Sequence, residues 1–188
     1  MATVLMFHHA LGLTEGLQAF ADTLRESGHV VHCPDLYDGR TFTDVSAGVA
    51  HAESIGFGDI VAAGFEFAES LPGGLVYAGF SLGVLPAQNL AQTRPGGLGA
   101  LLYHDVIPGK HLDSAWPTAL PVQIHVTESD PWADHVAIQA LARDAEDSEL
   151  FVYPGNAHLF ADPSSPEYVG DAAAQLLTRT LVFLERVG

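Results

Sequence analysis

The chain has 188 residues, of which 48% are hydrophobic and 16% charged, a balance that belongs to a compact globular protein and excludes a disordered or collagen-like one. Seven basic residues stand against 23 acidic ones, a formal net charge of −16, which argues against nucleic acid and anionic membrane surfaces as partners and disfavours strongly anionic substrates at long range. No apolar run reaches the length of a membrane span, because each is broken by Gly, Pro or a charge.

Taken in chain order, six short apolar runs read as strands: "TVLMF" (3–7), "HVVHC" (29–33), "GLVYAGF" (74–80), "GALLYH" (99–104), "VQIHV" (122–126) and "LFVYP" (150–154). They are apolar almost throughout and rich in β-branched and aromatic residues, as strands covered on both faces are. Helical patterns fall between and after them, at 14–27, 57–71, 83–93, 133–144 and 167–187. In the last of these Leu177, Leu181 and Leu184 form one apolar stripe, and Pro166 stands just before its start. Two stretches, 34–56 and 105–120, read as irregular.

Strand–helix alternation predicts an α/β fold, a mostly parallel sheet of about six strands with helices on both faces, joined by right-handed crossovers. With no repeat, low-complexity tract or linker to divide it, the chain is expected to form one domain over 1–188. The N-terminal "MATVLMFHHA" has no basic segment of the kind that opens a signal peptide, and the lone Cys33 fits a reducing compartment. A cytoplasmic protein, monomeric or homodimeric, is the expectation.

In such sheets the chemistry gathers beyond the carboxyl ends of the strands. The third strand ends in "GFSLG", with Ser81 between Gly79 and Gly83 and a helical pattern directly after. That is the strand–turn–helix setting of a nucleophile elbow, in which the glycines allow close packing around a strained serine backbone. A serine hydroxyl needs a base to take its proton, and the base needs an orienting acid. Asp130 follows the fifth strand and His158 the sixth, so the order is Ser, acid, His. Glu128 and Asp134 are rivals for the acid, and Asp130 has the alternative task of capping the helix that follows. The backbone N–H of Leu82 and that of Ala10, with Leu11 as second choice, are the expected oxyanion donors. His9, Phe80, Trp132 and Phe160 are the expected pocket wall, being next to this machinery in sequence. The adjacent His8 and His9 should point to opposite faces, and no metal-ligand spacing occurs, so neither a metal nor an organic cofactor is called for.

"FHHALGLTEGLQAFADTLRESGHVVHCPDLYDGRTF", with its Pro34-Asp35-Leu36-Tyr37 segment, together with "GFSLG", "ESDPWAD" and "GNAHLF", resembles the dienelactone hydrolase family of the α/β-hydrolases. The resemblance covers nearly the whole chain. It implies a short α/β-hydrolase with strand order 2-1-3-4-5-6 and no large lid, with nucleophile, acid and base at the three motifs. Three departures stand out. The family's named enzyme carries a cysteine where Ser81 stands, and a glutamate that interacts with the nucleophile where His9 stands. Its substrate-binding arginine, four residues after the catalytic histidine, is Asp162 here, an acid expected to repel a carboxylate substrate. The expected function is hydrolysis of a small carboxylic ester or lactone by a serine hydrolase. The alternatives are a non-catalytic binding protein on the same scaffold, or a thioesterase or peptidase with the same triad.

Overall fold

The computed structural model describes residues 1–112 and 114–188. Six strands, β1 (Thr3–Phe7), β2 (Val30–His32), β3 (Leu75–Phe80), β4 (Gly99–Tyr103), β5 (Val122–Thr127) and β6 (Ser148–Tyr153), form one sheet in the order β2-β1-β3-β4-β5-β6. Every neighbouring pair is parallel. All six predicted strands are present, and the order is the one the resemblance implies. β3 and β4 lie centrally and bury every residue, which is why they read as unbroken apolar runs.

Successive side chains of a strand point to opposite faces, so each strand feeds two cores. Leu5, Phe7, Leu75 and Tyr77 join the core against α3 (Phe57–Glu69), α4 (Val84–Thr93) and α5 (His135–Asp144). Val4, Met6, Val76, Ala78 and Phe80 join the opposite core, against α1 (Glu15–Glu26) and α6 (Gly170–Val187). On α1 the buried Leu17, Ala21 and Leu24 form the inner stripe, and Thr14 caps the N-terminus by accepting the Leu17 N–H at 3.2 Å.

Two elements differ from the sequence reading. The stretch 34–56 contains a helix, α2 (Val45–Ile55), which buries only Gly48 and Ala52. It lacks the large apolar stripe from which a helix is read, so periodicity carries no signal there. Asp44 starts it by accepting the Ala47 N–H, and Gly56, at φ 103°, ends it and begins α3. On α6 the buried side is Ala172, Leu176, Thr180, Phe183 and Leu184. The predicted Leu177 and Leu181 lie half-buried at its margin.

Candidate active site

At the carboxyl end of β3 the chain turns directly from strand into a short 3-10 turn, Ser81–Gly83, and then into α4. Ser81 sits at φ 49°, a left-handed conformation unusual for a residue with a side chain. The two flanking glycines have a steric reason. A Cβ on Gly79 would strike the carbonyl oxygen of Gly83, and one on Gly83 would strike the Phe7 carbonyl of β1. The turn is thereby pressed against both β1 and its own helix, and Ser81 is lifted to the sheet's end.

Asp130 lies just beyond β5 and His158 beyond β6, after a turn that Gly155 makes at φ 104°. Both side chains are buried. The Asp130 Oδ2 accepts the His158 Nδ1–H at 2.8 Å. That fixes the tautomer, and leaves Nε2 as an acceptor for the Ser81 hydroxyl at 2.6 Å. The second oxygen of Asp130 accepts the Trp132 N–H at 2.9 Å, so one carboxylate both orients the histidine and shapes its own loop. The rival acids are engaged elsewhere. Asp134 caps α5 through the Val136 and Ala137 N–H groups, and Glu128 is exposed and faces the Gly155 amide.

The loop after β1 is held by two buried histidines that point apart. His8 donates from Nδ1 to the His9 carbonyl at 2.8 Å and accepts the Leu36 N–H on Nε2 at 3.0 Å. His9 turns the other way, donating from Nε2 to the buried Asp162 at 2.8 Å and accepting the Leu11 N–H on Nδ1 at 3.3 Å. Asp162 also accepts from the Thr14 hydroxyl at 2.7 Å and the Ser164 N–H at 2.8 Å. Burial pushes its carboxyl up, but His9 and these donors more than offset that and hold it below the usual carboxylate range. Two of the departures from the resemblance, His9 and Asp162, are therefore partners. Their bond clasps the β1 loop to the segment that follows His158.

This arrangement bears on the expected oxyanion donors. The Leu11 amide is engaged by His9, whereas the Ala10 N–H has no hydrogen-bond acceptor among the described residues. Ala10 and Leu82 both border the cleft that opens over Ser81.

That cleft has a volume of about 280 Å³, and Ser81, His158 and Trp132 stand on its wall. The rest of the predicted wall is corrected by the structure. His9, Phe80 and Phe160 are fully buried and do not reach the cleft. Phe80 points beneath the sheet's end and stacks on Tyr103 with centroids 4.2 Å apart. Phe160 belongs to the same core, where its ring packs against Tyr153 and His104, and the pull of Asp162 takes His9 inward. Their places are taken by Val45 and Val49 of α2, Phe57 of α3, Val84 and Leu85 of α4, Ile107 and Asp105. Asp162 is likewise buried and absent from the wall, so it faces no substrate carboxylate. A larger groove of about 610 Å³ lies over α4 and α5, away from Ser81, and gathers no comparable set of groups.

His104, the residue directly after β4, lies beside His158 with ring centroids 5.7 Å apart. It is fully buried, and neither ring nitrogen has a partner among the described residues. Burial first, and the neighbouring histidines second, push its pKa well below the ordinary value, so the ring is neutral.

Comparison with known proteins gives a consistent picture of the fold. The model of the Dienelactone hydrolase family matches residues 1–188. A search of the curated proteins finds no significant match. Among solved structures, a protein assigned as a dienelactone hydrolase from Klebsiella pneumoniae subsp. pneumoniae superposes with a TM-score of 0.76 at 18% identity, over 99% of this chain and 87% of that one. A dienelactone hydrolase-like promiscuous phosphotriesterase from metagenomic libraries gives 0.74 at 17% identity, over 100% and 87%. A cold-adapted esterase from an Arctic intertidal metagenomic library gives 0.70 at 19%, over 99% and 82%. With the family matched from end to end and the sheet order in agreement, the chain belongs to the dienelactone hydrolase family, as a hydrolase acting on ester bonds.

Proposed function

We propose that the protein is a serine hydrolase of small carboxylic esters or lactones, working through Ser81, His158 and Asp130. The observation that carries this reading is the continuous chain from the Ser81 hydroxyl to His158 Nε2 at 2.6 Å and from His158 Nδ1 to Asp130 at 2.8 Å. Ser81 Oγ attacks the ester carbonyl while His158 Nε2 takes its proton. Asp130 holds the ring in the receptive tautomer and stabilises the imidazolium that forms. The Leu82 and Ala10 N–H groups receive the negative charge on the carbonyl oxygen, where donors fixed in advance act most strongly. Collapse of that intermediate expels the alcohol, protonated by His158, and leaves an acyl group on Ser81. His158 then takes a proton from water, which attacks the acyl carbon and releases the acid.

Serine at this position needs the histidine more than a cysteine would, because an unassisted hydroxyl is a poor nucleophile at neutral pH. The apolar wall of Val45, Val49, Phe57, Val84 and Leu85 suits a small, largely hydrocarbon substrate. Turnover of p-nitrophenyl butyrate tests the assignment. Ser81→Ala is expected to reduce it to the uncatalysed background, with the thermal melting curve retained. Ester turnover by Ser81→Ala at a rate near that of the unaltered protein would contradict it.

A further inference from the structure

The cleft over Ser81 presents two ionisable side chains, His158 and Asp105. His158 is occupied between Ser81 and Asp130. Asp105 is thus the one carboxylate that the described residues of the wall offer to a bound molecule. It follows β4 by two residues, and β4 is the neighbour of β3, the strand that leads into Ser81. Its Oδ1 accepts the Asp134 N–H at 2.9 Å, which fixes the carboxylate's direction through the backbone. No Lys, Arg or His forms an ion pair with it among the described residues. A half-buried carboxylate set in an apolar wall without a cation gains from a ligand that brings one. Burial accordingly pushes its pKa up, against the opposing effect of the Asp134 and Val106 amides and of His158.

Trp132 stands on the same wall, 45% exposed and with its ring 6.1 Å from that of His158. An indole and a carboxylate that line one cleft can together hold an ammonium group, the ring through its face and the acid through its charge. The chain's net charge of −16 works in the same direction by concentrating cations near its surface.

We propose that Asp105 and Trp132 form a cation subsite, so that the favoured substrates are small esters bearing an ammonium group. The proposal rests on the hydrolase reading of Ser81. No motif or spacing in the sequence singles out Asp105, although its place at a strand end fits the rule that leads to the other site residues.

The test compares esters with their uncharged carbon isosteres, with the charge placed on either side of the ester. Butyrylcholine is paired with 3,3-dimethylbutyl butyrate, and methyl 4-(trimethylammonio)butanoate with methyl 5,5-dimethylhexanoate. At low ionic strength the cationic member of at least one pair should have the higher kcat/KM, by about tenfold. Asp105→Asn, which keeps an oxygen for the Asp134 amide, should lower that cation-to-neutral ratio about tenfold, a comparison made within one enzyme preparation. Trp132→Ala should lower the ratio in the same direction. Ratios near one for both pairs, or a preference that survives in Asp105→Asn, would overturn the subsite while hydrolysis of the isosteres left the Ser81 reading standing. Failure of the protein to hydrolyse any of the four would overturn the subsite alone, and failure to react at Ser81 with a fluorophosphonate as well would overturn both.

Discussion

Asp130→Asn should lower kcat for an activated ester by about 10⁴-fold while leaving KM nearly unchanged. The substitution keeps the shape of the side chain but removes the charge that draws the Nδ1 proton of His158. An asparagine amide turned toward Nδ1 favours the other tautomer, in which Nε2 carries the hydrogen and is closed to the Ser81 hydroxyl. The imidazolium that forms as Ser81 attacks also loses its counter-charge. The same measurement separates Asp130 from the two acids nearby in sequence. Glu128→Gln and Asp134→Asn should stay within about threefold of the unaltered protein, since neither carboxylate touches His158. A large loss of kcat in either, with Asp130→Asn still active, would move the acid role.

The second large effect is on stability. His8, His104 and His125 are buried, and burial pushes the first down to about 4, the second well below its ordinary value and the third to about 3. At His8 the hydrogen bonds themselves require the neutral ring, and at His125 burial does. His8 accepts the Leu36 amide, and His125 sits between the Tyr153 hydroxyl and the Gln123 side-chain oxygen, each at 2.8 Å. Because their pKa values are depressed in the folded chain, the stability these groups provide is complete above about pH 6.5 and is lost as pH falls toward their folded values. Below about pH 6.5 the unfolded chain takes up a proton at each of these rings that the folded chain refuses. The slope approaches about 4 kcal/mol per pH unit, so a domain of ordinary stability should unfold in acid at about pH 4–5. Denaturant titrations between about pH 7.5 and 4.5 check the slope. A stability that stays flat from about pH 7 to 5 would show that these rings are not held neutral by the fold.

How far the sequence reveals the molecule depends on the kind of residue. The six strands are legible because burial on both faces leaves an unmistakable apolar run, and strand–helix alternation then sets the parallel topology. Ser81, Asp130 and His158 are legible as candidates because each follows a strand whose end must lie at the same edge of the sheet. The pocket wall is not. Phe80 and Phe160 are neighbours of Ser81 and His158 in sequence, yet the backbone directs them into the core. His9 is drawn inward by Asp162, a partner 153 residues away that no local spacing discloses. The residues that do form the wall come largely from α2, α3 and α4, and α2 is hard to read because it buries little more than Gly48 and Ala52.

The pairing of His9 with Asp162 also changes the meaning of two departures from the family pattern. Taken singly, each suggests a damaged site. Joined at 2.8 Å and supported by Thr14, they hold the β1 loop while the Ala10 amide stays without an acceptor among the described residues. Negative charge within the cleft comes from Asp105 instead.

The most direct test of Ser81 as the nucleophile is the intact mass of the protein after incubation with a fluorophosphonate. A single adduct is expected, located by peptide mapping at Ser81 and absent from Ser81→Ala. An unaltered mass for the native chain, or an adduct of equal yield on Ser81→Ala, would contradict that assignment.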